Sequence, residues 1–427
     1  MEIDLPEGWE SVDLGDIVDR MTNGASVPQF EEKIGHAISR IETIWNESID
    51  LKRVKYINED EADFVEKYSL KKNDILFSHI NSDPHLGKTA VFKLDNFILI
   101  HGINLLLLRP KKEVNADFLN YTFKYLRRTG AFARIAQKSV NQSSINQAKL
   151  KKVKICLPPF SIQHQIVEKI EEIFSELDKC IENLKTAQQQ LKVYRQAVLK
   201  WAFEGKLTNE NVKDGELPEG WAIVKLHEVA NSLDNLRKPI NKAERQMRVG
   251  KIPYYGANGR TGWIDDYLFD EPLILVVEDE TFTGRELPFS YKITGKTWVN
   301  NHAHILKPKE HLNIDFLNYQ LFYYPFLPLT TGTTGRKKLT KNALMNAPFK
   351  ICKLKEQYEI VQQVESRLSV CDKMEETITT SLQQAEALRQ SILKSAFEGK
   401  LVKANAPKPA VIARYEAIPA HDINANA

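Results

Sequence analysis

Cysteine is scarce: Cys156, Cys180, Cys352 and Cys371 are the only four in 427 residues, and none stands in a Cys-x-x-Cys pair. That spacing gives no disulfide framework and fits small buried thiols in a reducing cytosol. Long apolar runs are missing too, so no segment is expected to span a bilayer as a helix. The acidic start Met1-Glu2-Ile3-Asp4-Leu5-Pro6 lacks the apolar stretch of a secretion signal. A cytoplasmic location is the expectation. Charge of one sign is also absent, with 59 Lys and Arg against 56 Asp and Glu. No global field draws the chain onto a polyanion, so any such surface must be local.

Catalytic motifs fail one by one. Gly87-Lys88-Thr89 and Gly295-Lys296-Thr297 resemble the end of a phosphate loop, but Ser82 and Ser290 stand where its first glycine belongs. Leu157-Pro158-Pro159-Phe160 resembles an amino-methyltransferase tetrapeptide, yet Leu157 replaces the side chain that accepts from the target amine. Glu204-Gly205-Lys206 and Glu398-Gly399-Lys400 mimic half a nuclease motif, but at a helix end Gly terminates and Lys favours the dipole. No Gly-x-Ser-x-Gly or His-Glu-x-x-His occurs. An active site of its own is not expected.

What is present is written twice. Leu5-Pro6-Glu7-Gly8-Trp9 returns as Leu217-Pro218-Glu219-Gly220-Trp221, and Ala202-Phe203-Glu204-Gly205-Lys206-Leu207 returns as Ala396-Phe397-Glu398-Gly399-Lys400-Leu401. Residues 162–207 align with 356–401 without a gap, about 21 of 46 positions being identical. The stretches in between barely align. A duplicated frame with two divergent heads reads as a ruler presenting two recognition surfaces.

The repeated segments carry a seam. Apolar or small residues alternate at four and three: Ile166, Ile170, Ile173, Leu177, Cys180, Leu184, Ala187, Leu191, Tyr194 and Val198. The second copy keeps register at Ile360, Val364, Arg367, Cys371, Met374, Ile378, Ser381, Ala385, Leu388 and Ile392, interrupted by Arg367 and Ser381. That period predicts two long helices covering each other as a coiled coil. Pro158-Pro159 stops the first from running back into its head.

The heads read as mixed α/β. Asp74-Ile75-Leu76-Phe77-Ser78, Ile98-Leu99-Ile100, residues 105–108 and 273–277 look like buried strands, and 118–130 and 316–323 like helices. The fold class expected is therefore α+β: two target-recognition domains joined by two long helices, with an internal repeat. Just before each long helix lies a polar loop beside basic residues. Lys138, Asn141, Gln142 and Ser143 mark the first; Thr331, Thr333, Thr334, Arg336, Lys337 and Lys338 the second. Amides and hydroxyls can bond base edges while Lys and Arg neutralise phosphates. A solvated turn is the plain alternative for either loop, and recurrence in both copies weighs against it. Tyr255, Asn258 and Arg260 sit in a glycine-rich hairpin, and Arg40, His79 and Asn81 are further polar candidates in the first head. Asn300-Asn301-His302-Ala303-His304 favours hydrogen bonding or burial over a metal. Arg336→Ala is expected to cost on the order of 1–3 kcal/mol if Arg336 reads guanine.

Taken together, the paired Leu-Pro-Glu-Gly-Trp starts, Leu157-Pro158-Pro159, Gln163-His164-Gln165-Ile166-Val167 against Gln357-Tyr358-Glu359-Ile360-Val361, Arg195-Gln196-Ala197-Val198-Leu199 against Arg389-Gln390-Ser391-Ile392-Leu393 and the Phe-Glu-Gly-Lys-Leu ends resemble the specificity subunits of Type I restriction–modification systems. The resemblance runs to about Leu401. It implies two target-recognition domains for an asymmetric bipartite duplex DNA site, held by an antiparallel coiled coil that fixes the gap. It also implies docking of two methyltransferase subunits and of restriction subunits, which carry S-adenosylmethionine, ATP and Mg2+; none is expected on this chain. Expected boundaries are 1–158 and 208–353 for the heads, 159–207 and 354–401 for the helical spacers, and 402–427 for a disordered tail. One departure is Ile351-Cys352-Lys353-Leu354-Lys355, which lacks the prolines of the first copy. A coiled-coil scaffold whose heads bind proteins remains the alternative, and a self-sufficient repressor a more distant one.

Overall fold

The computed structural model describes residues 5–139, 142–209, 211–280, 282, 285, 287–300, 302–332 and 337–402. The tail expected beyond 402 lies outside them. Two compact units divide the chain, one drawn from Met1–Leu184 and Thr380–Ala427, the other being Lys185–Thr379. Both have the same plan.

In the first unit a four-stranded antiparallel sheet runs in the order Val18–Asn23, Leu105–Pro110, Ile75–Ser78, Thr89–Val91. Its central strands are apolar on both faces, because both faces are covered. Ile75, Phe77, Leu106 and Leu108 pack under helix α1 (Ala116–Arg128), whereas Leu76, Leu105 and Leu107 enter a second cluster with Ala90, Phe92 and Leu99. This explains the unbroken Leu105-Leu106-Leu107-Leu108 run, where a half-exposed strand would alternate. A small sheet combines His36–Ile38 and Lys55–Ile57, inserted between the first two strands in chain order, with Leu99–Ile100, inserted between the last two.

The long helix α2 (Phe160–Phe203) then follows and is shared between the units. In the second unit the sheet runs Ala230–Ser232, Ala303–Pro308, Leu273–Val277, Ser290–Ile293, covered by α3 (Ile314–Phe322). The inserted sheet here is built from Ile252–Gly256, Gly259–Ile264, Lys296–Val299 and Phe269–Asp270. The second long helix, α4 (Leu354–Phe397), begins at Leu354 without the prolines of the first copy. Each long helix has 44 residues, roughly 66 Å at the α-helical rise.

The long helices are packed together, and each unit contains opposite ends of them. In the first, Ile166, Val167, Ile170 and Ile173 of α2 meet Ile392, Leu393, Ala396 and Phe397 of α4. In the second, Val198, Leu199 and Ala202 meet Ile360, Val361 and Val364. Early residues of one helix against late residues of the other make the pairing antiparallel. Flanking ion pairs repeat it, with Arg389 on Asp178 in the first unit and Arg195 on Asp372 (2.6 Å) and Glu375 (2.9 Å) in the second.

Within the seam, one row at seven-residue spacing stays covered: Ile170, Leu177, Leu191 and Val198 in α2, and Val364, Cys371, Ile378, Ala385 and Ile392 in α4, with Leu184 half-buried. The other row starts covered at Ile166, Ile173 and Ile360, then loosens: Leu388 is half-buried, and Met374, expected in the seam, is 43% exposed. An α-helix of 3.6 residues per turn drifts off a seven-residue repeat, so only one row tracks the partner over the whole length.

Each head is fastened to its helix by a buried glutamine. The Gln163 carboxamide accepts from the Asn115 N–H (2.8 Å) and donates to the carbonyls of Pro158 (2.9 Å) and Glu113 (3.3 Å). Gln357 repeats this with the Asn313 N–H (2.8 Å) and the carbonyls of Cys352 (2.8 Å) and His311 (3.1 Å). Asn115 and Asn313 in turn cap α1 and α3, accepting from Asp117 and Phe118 and from Asp315 and Phe316. The Leu-Pro-Glu-Gly-Trp and Phe-Glu-Gly-Lys-Leu repeats meet each other. Gly399, at φ +67°, leaves room for Pro6, since a Cβ there would lie 2.3 Å from the Pro6 Cγ; Gly205 (φ +76°) does the same for Pro218 at 2.2 Å.

Gln357→Ala leaves one backbone N–H and two carbonyls without their partner. It is expected to lower stability by about 2 kcal/mol, read as a fall in the urea midpoint of the full chain. An unchanged midpoint would show that water replaces the amide and that the clamp is dispensable.

Candidate nucleic-acid interface

The structure brings together segments far apart in sequence. In the first unit Gln137–Lys138, Ser143–Ser144 and Ile80–Asn81 form a three-stranded antiparallel sheet, with Ser143 opposite both Asn81 and Lys138. The second unit repeats it in the same order from Thr330–Thr331, Lys337–Leu339 and Asp279–Glu280, with Lys338 opposite Thr331 and Asp279. Both polar loops are therefore the tips of short hairpins, each laid on a strand that leaves the central sheet. Asn141, Thr333, Thr334 and Arg336, which fall between those strands in sequence, lie outside the described residues.

Around the first hairpin, Lys138 and Gln142 are exposed and Ser143 is buried. The Ser143 hydroxyl donates to the Asp83 carboxylate, which also lies 3.7 Å from the Lys138 ammonium. Asn81 donates from Nδ2 to the Ser78 Oγ (3.1 Å) and accepts the Ser82 N–H (2.9 Å). His79 corrects the expectation of an exposed polar contact: it is only 6% exposed. Burial pushes its imidazole down to about 4, against a backbone hydrogen bond at Asn104 that works the other way. Arg40 opens the short 3-10 turn Ile41–Thr43 and pairs with Glu42 at 3.1 Å.

Beneath the second hairpin is a charged network that no sequence motif announces. Glu278, buried, accepts from Arg237 (2.5 Å) and pairs with Lys338 (3.2 Å). His304, 2% exposed, has Nδ1 at 2.6 Å from an Asp234 carboxylate oxygen and Nε2 at 2.8 Å from the Leu339 carbonyl. Burial works to raise the Glu278 carboxyl, but Arg237, His304 and Lys338 outweigh it and hold it below the usual range. The same opposition, won by His304, the Ile305 N–H and Arg237, keeps Asp234 low. Among the described residues no group of His, Cys, Asp and Glu is placed to hold a metal. Lys338 and Thr331 are exposed and Lys337 is half-buried; the Thr331 hydroxyl reaches the Lys338 carbonyl at 3.4 Å.

Tyr255, Asn258 and Arg260 fall in a different sheet, on the hairpin Ile252–Gly256 and Gly259–Ile264. Asn258 accepts from Arg285 (2.7 Å), the Arg260 guanidinium lies over the Trp263 ring at 4.4 Å, and Tyr255 packs 5.9 Å from Tyr291. Sequence reading missed Asp83, Asp234, Arg237 and Glu278, which brace the hairpins from distant segments. The His-x-His fragment marked only their partner His304.

A duplicated frame, two topologically equal hairpin sheets and unlike side chains on them define a protein built to recognise two different things with one design. Residues 6–193 and 218–384 match the family described as Type I restriction modification DNA specificity domain. The chain is 31% identical to a Methanocaldococcus jannaschii chain assigned as the type I restriction enzyme MjaX specificity subunit, over 93% of this chain and 95% of that one. It is 24% identical to the type I restriction enzyme EcoKI specificity subunit of Escherichia coli K12, over 93% and 90%. Its fold matches the HsdS subunit of Thermoanaerobacter tengcongensis (TM-score 0.61, 17% identity, 93% and 98% covered). It also matches a chain from structural work on complex assembly and conformational transition of the type I R-M system (TM-score 0.71, 18% identity, 93% and 99%). The chain belongs to the family of Type I restriction–modification DNA specificity subunits. That family is non-catalytic. No described helix is long and apolar enough to cross a membrane.

The buried imidazole of His79 gives a pH test. Its folded pKa lies below the ordinary value of 6.5, so on acidification the unfolded chain takes up the proton first. Its contribution is complete above about pH 6.5 and lost as pH falls through about 4, on the order of 2–3 kcal/mol over the whole window. His79→Gln is expected to flatten the dependence of urea stability on pH between 7.5 and 4.5. Parallel curves for variant and parent would exclude His79 as the titrating group.

Proposed function

We propose that each unit reads one half of an asymmetric, bipartite duplex DNA target through its hairpin sheet. Lys138, Gln142, Thr331, Lys337 and Lys338, together with Asn141, Thr333, Thr334 and Arg336 at the tips, serve as the contacting set. The observation that carries this reading is the recurrence of one three-stranded sheet, in one strand order, at one place in both units, bearing different residues. A common scaffold with interchangeable surface chemistry is what two half-sites of different sequence require. Backbone amides and lysines at the edges position the duplex, and polar side chains at the tips specify bases. Two methyltransferase subunits and the restriction subunits are the proposed partners, and S-adenosylmethionine, ATP and Mg2+ act on those partners.

The test is a genome-wide map of methylated adenines made with the partner methyltransferase, with and without this chain, followed by replacement of residues 330–339 with the hairpin of another specificity subunit. Appearance of a two-part motif dependent on this chain, with only one part altered by the swap, is the expected result. A motif unchanged by the swap would move the reading surface elsewhere. Heads that capture proteins and leave the methylation map unaffected would make the chain a scaffold.

A further inference from the structure

The Gly87-Lys88-Thr89 fragment, which fails as a nucleotide loop, forms one wall of a cleft of about 210 Å3 in the first unit. Gly87 takes a left-handed turn (φ +74°), and a Cβ there would lie 2.5 Å from the Phe132 ring. Lys88, Lys124 and Arg127 line the cleft against a single carboxylate, Glu47. That carboxylate is already engaged by Lys124 (3.0 Å) and Arg128 (3.5 Å). The Lys88 ammonium makes no ion pair with any described residue. Thr89, 3% exposed, also lines the cleft, with a hydroxyl that is buried and lacks a partner. Burial and the neighbouring Arg127 push the Lys88 ammonium down against Glu47, which works the other way; burial, Lys88 and Arg127 push His85 down. The cleft thus holds more positive charge than its own carboxylate neutralises.

The second unit is the internal control. The carbonyl of Lys88 accepts the Ser78 N–H, and at the matching place the carbonyl of Phe289 accepts the Val277 N–H. Counting from the capping Asn115 and Asn313, Lys124 corresponds to Phe322 and Arg127 to Pro325. Thr89 corresponds to Ser290, whose hydroxyl is satisfied by Asn318 at 3.0 Å. The frame therefore folds with aromatics and proline where the first unit keeps cations and an orphan hydroxyl. The second unit folds without cations at these positions. In the first, Lys124 and Arg127 have partners in Glu47 and the Pro84 carbonyl, which leaves Lys88 as the cation with no ion-pair partner among the described residues.

Location supplies the ligand. Arg127 donates to the Pro84 carbonyl (3.1 Å), and Pro84 follows Asp83, which holds Ser143 and faces Lys138 on the hairpin sheet. The cleft thus adjoins, through Pro84 and Asp83, the sheet proposed above to carry the duplex. The geometry points to a phosphate site: Lys88, Arg127 and Thr89 take one backbone phosphodiester of the DNA beside the first half-site. This rests on the reading of the hairpin sheet as a DNA surface. A phosphate contact adds affinity without sequence preference and releases a counterion, so it is felt in the salt dependence.

The experiment uses the full chain assembled with its methyltransferase subunits, binding a target duplex and a scrambled duplex over a range of KCl. Lys88→Met is expected to weaken binding about 3- to 10-fold on both duplexes and to reduce the slope of log affinity against log salt by about one. Lys88→Arg is expected to restore both. An unchanged slope with Lys88→Met, or a loss confined to the target duplex, overturns the assignment. If inorganic phosphate at matched ionic strength raises the thermal midpoint of the parent but not of Lys88→Met, while duplex binding is unaffected, the cleft serves free phosphate and the DNA assignment is wrong. Failure of the underlying reading looks different: the parent complex itself would not distinguish the two duplexes.

Discussion

Everything a head presents depends on the hold that one buried carboxamide has on it. Gln163 and Gln357, 1% and 0% exposed, sit in the first turn of each long helix and satisfy three backbone groups of the head at once. An orphaned N–H or carbonyl at such a site costs more than the bond itself contributes, which makes the join strict rather than adjustable. The same loop is capped by Asn115 or Asn313, so α1 and α3 are set by the long helix as well. A closing strand pair, Glu10–Asp13 with Lys154–Leu157 or Ala222–Lys225 with Pro348–Ile351, ties the start of each head back to its exit. Hairpins carried on such a mount have little freedom of orientation.

The two copies diverge where the mount is not concerned. The central sheets keep one order and the hairpin sheets another, yet the bracing beneath them differs in kind. Asp83 alone gathers Ser143 and Lys138 in the first unit. The second uses a buried relay of Asp234, His304, Arg237 and Glu278 that ends on Lys338 and the Leu339 carbonyl. Where the first unit has its cationic cleft, the second has Phe289 stacked with Phe282 at 5.4 Å and edge-on to Phe326. The hairpin sheets can drift this far because the carboxamide joins, the helix caps and the closing strand pairs that hold each head lie on other elements.

Much of this was legible beforehand. The four-three spacing announced both long helices, and the apolar runs announced the central strands, since burial on both faces leaves a run rather than an alternation. Met374 shows the limit of the pattern. A seven-residue count places it in the seam, but helical drift leaves it at the edge beside Cys371 and Ile378. His79 shows another: a polar residue after a buried strand reads as a contact, whereas its neighbours fold over it. The bracing acids could not be found by inspection, because Asp234 and Glu278 lie 70 and 26 residues from His304 and meet only through sheet register.

By itself the sequence determined the duplication, the helical period, the class of fold and the lack of a catalytic motif, all of which are written in local spacing and composition. Tertiary structure decided which residues share a surface. It placed Ser143 between Lys138 and Asn81, put His304 under Leu339, and assembled Lys88, Thr89 and Arg127 into one cleft. Those neighbourhoods come from strand order and crossing connections. A linear chain carries them only as the sum of many weak packing preferences, which is why no single motif revealed them.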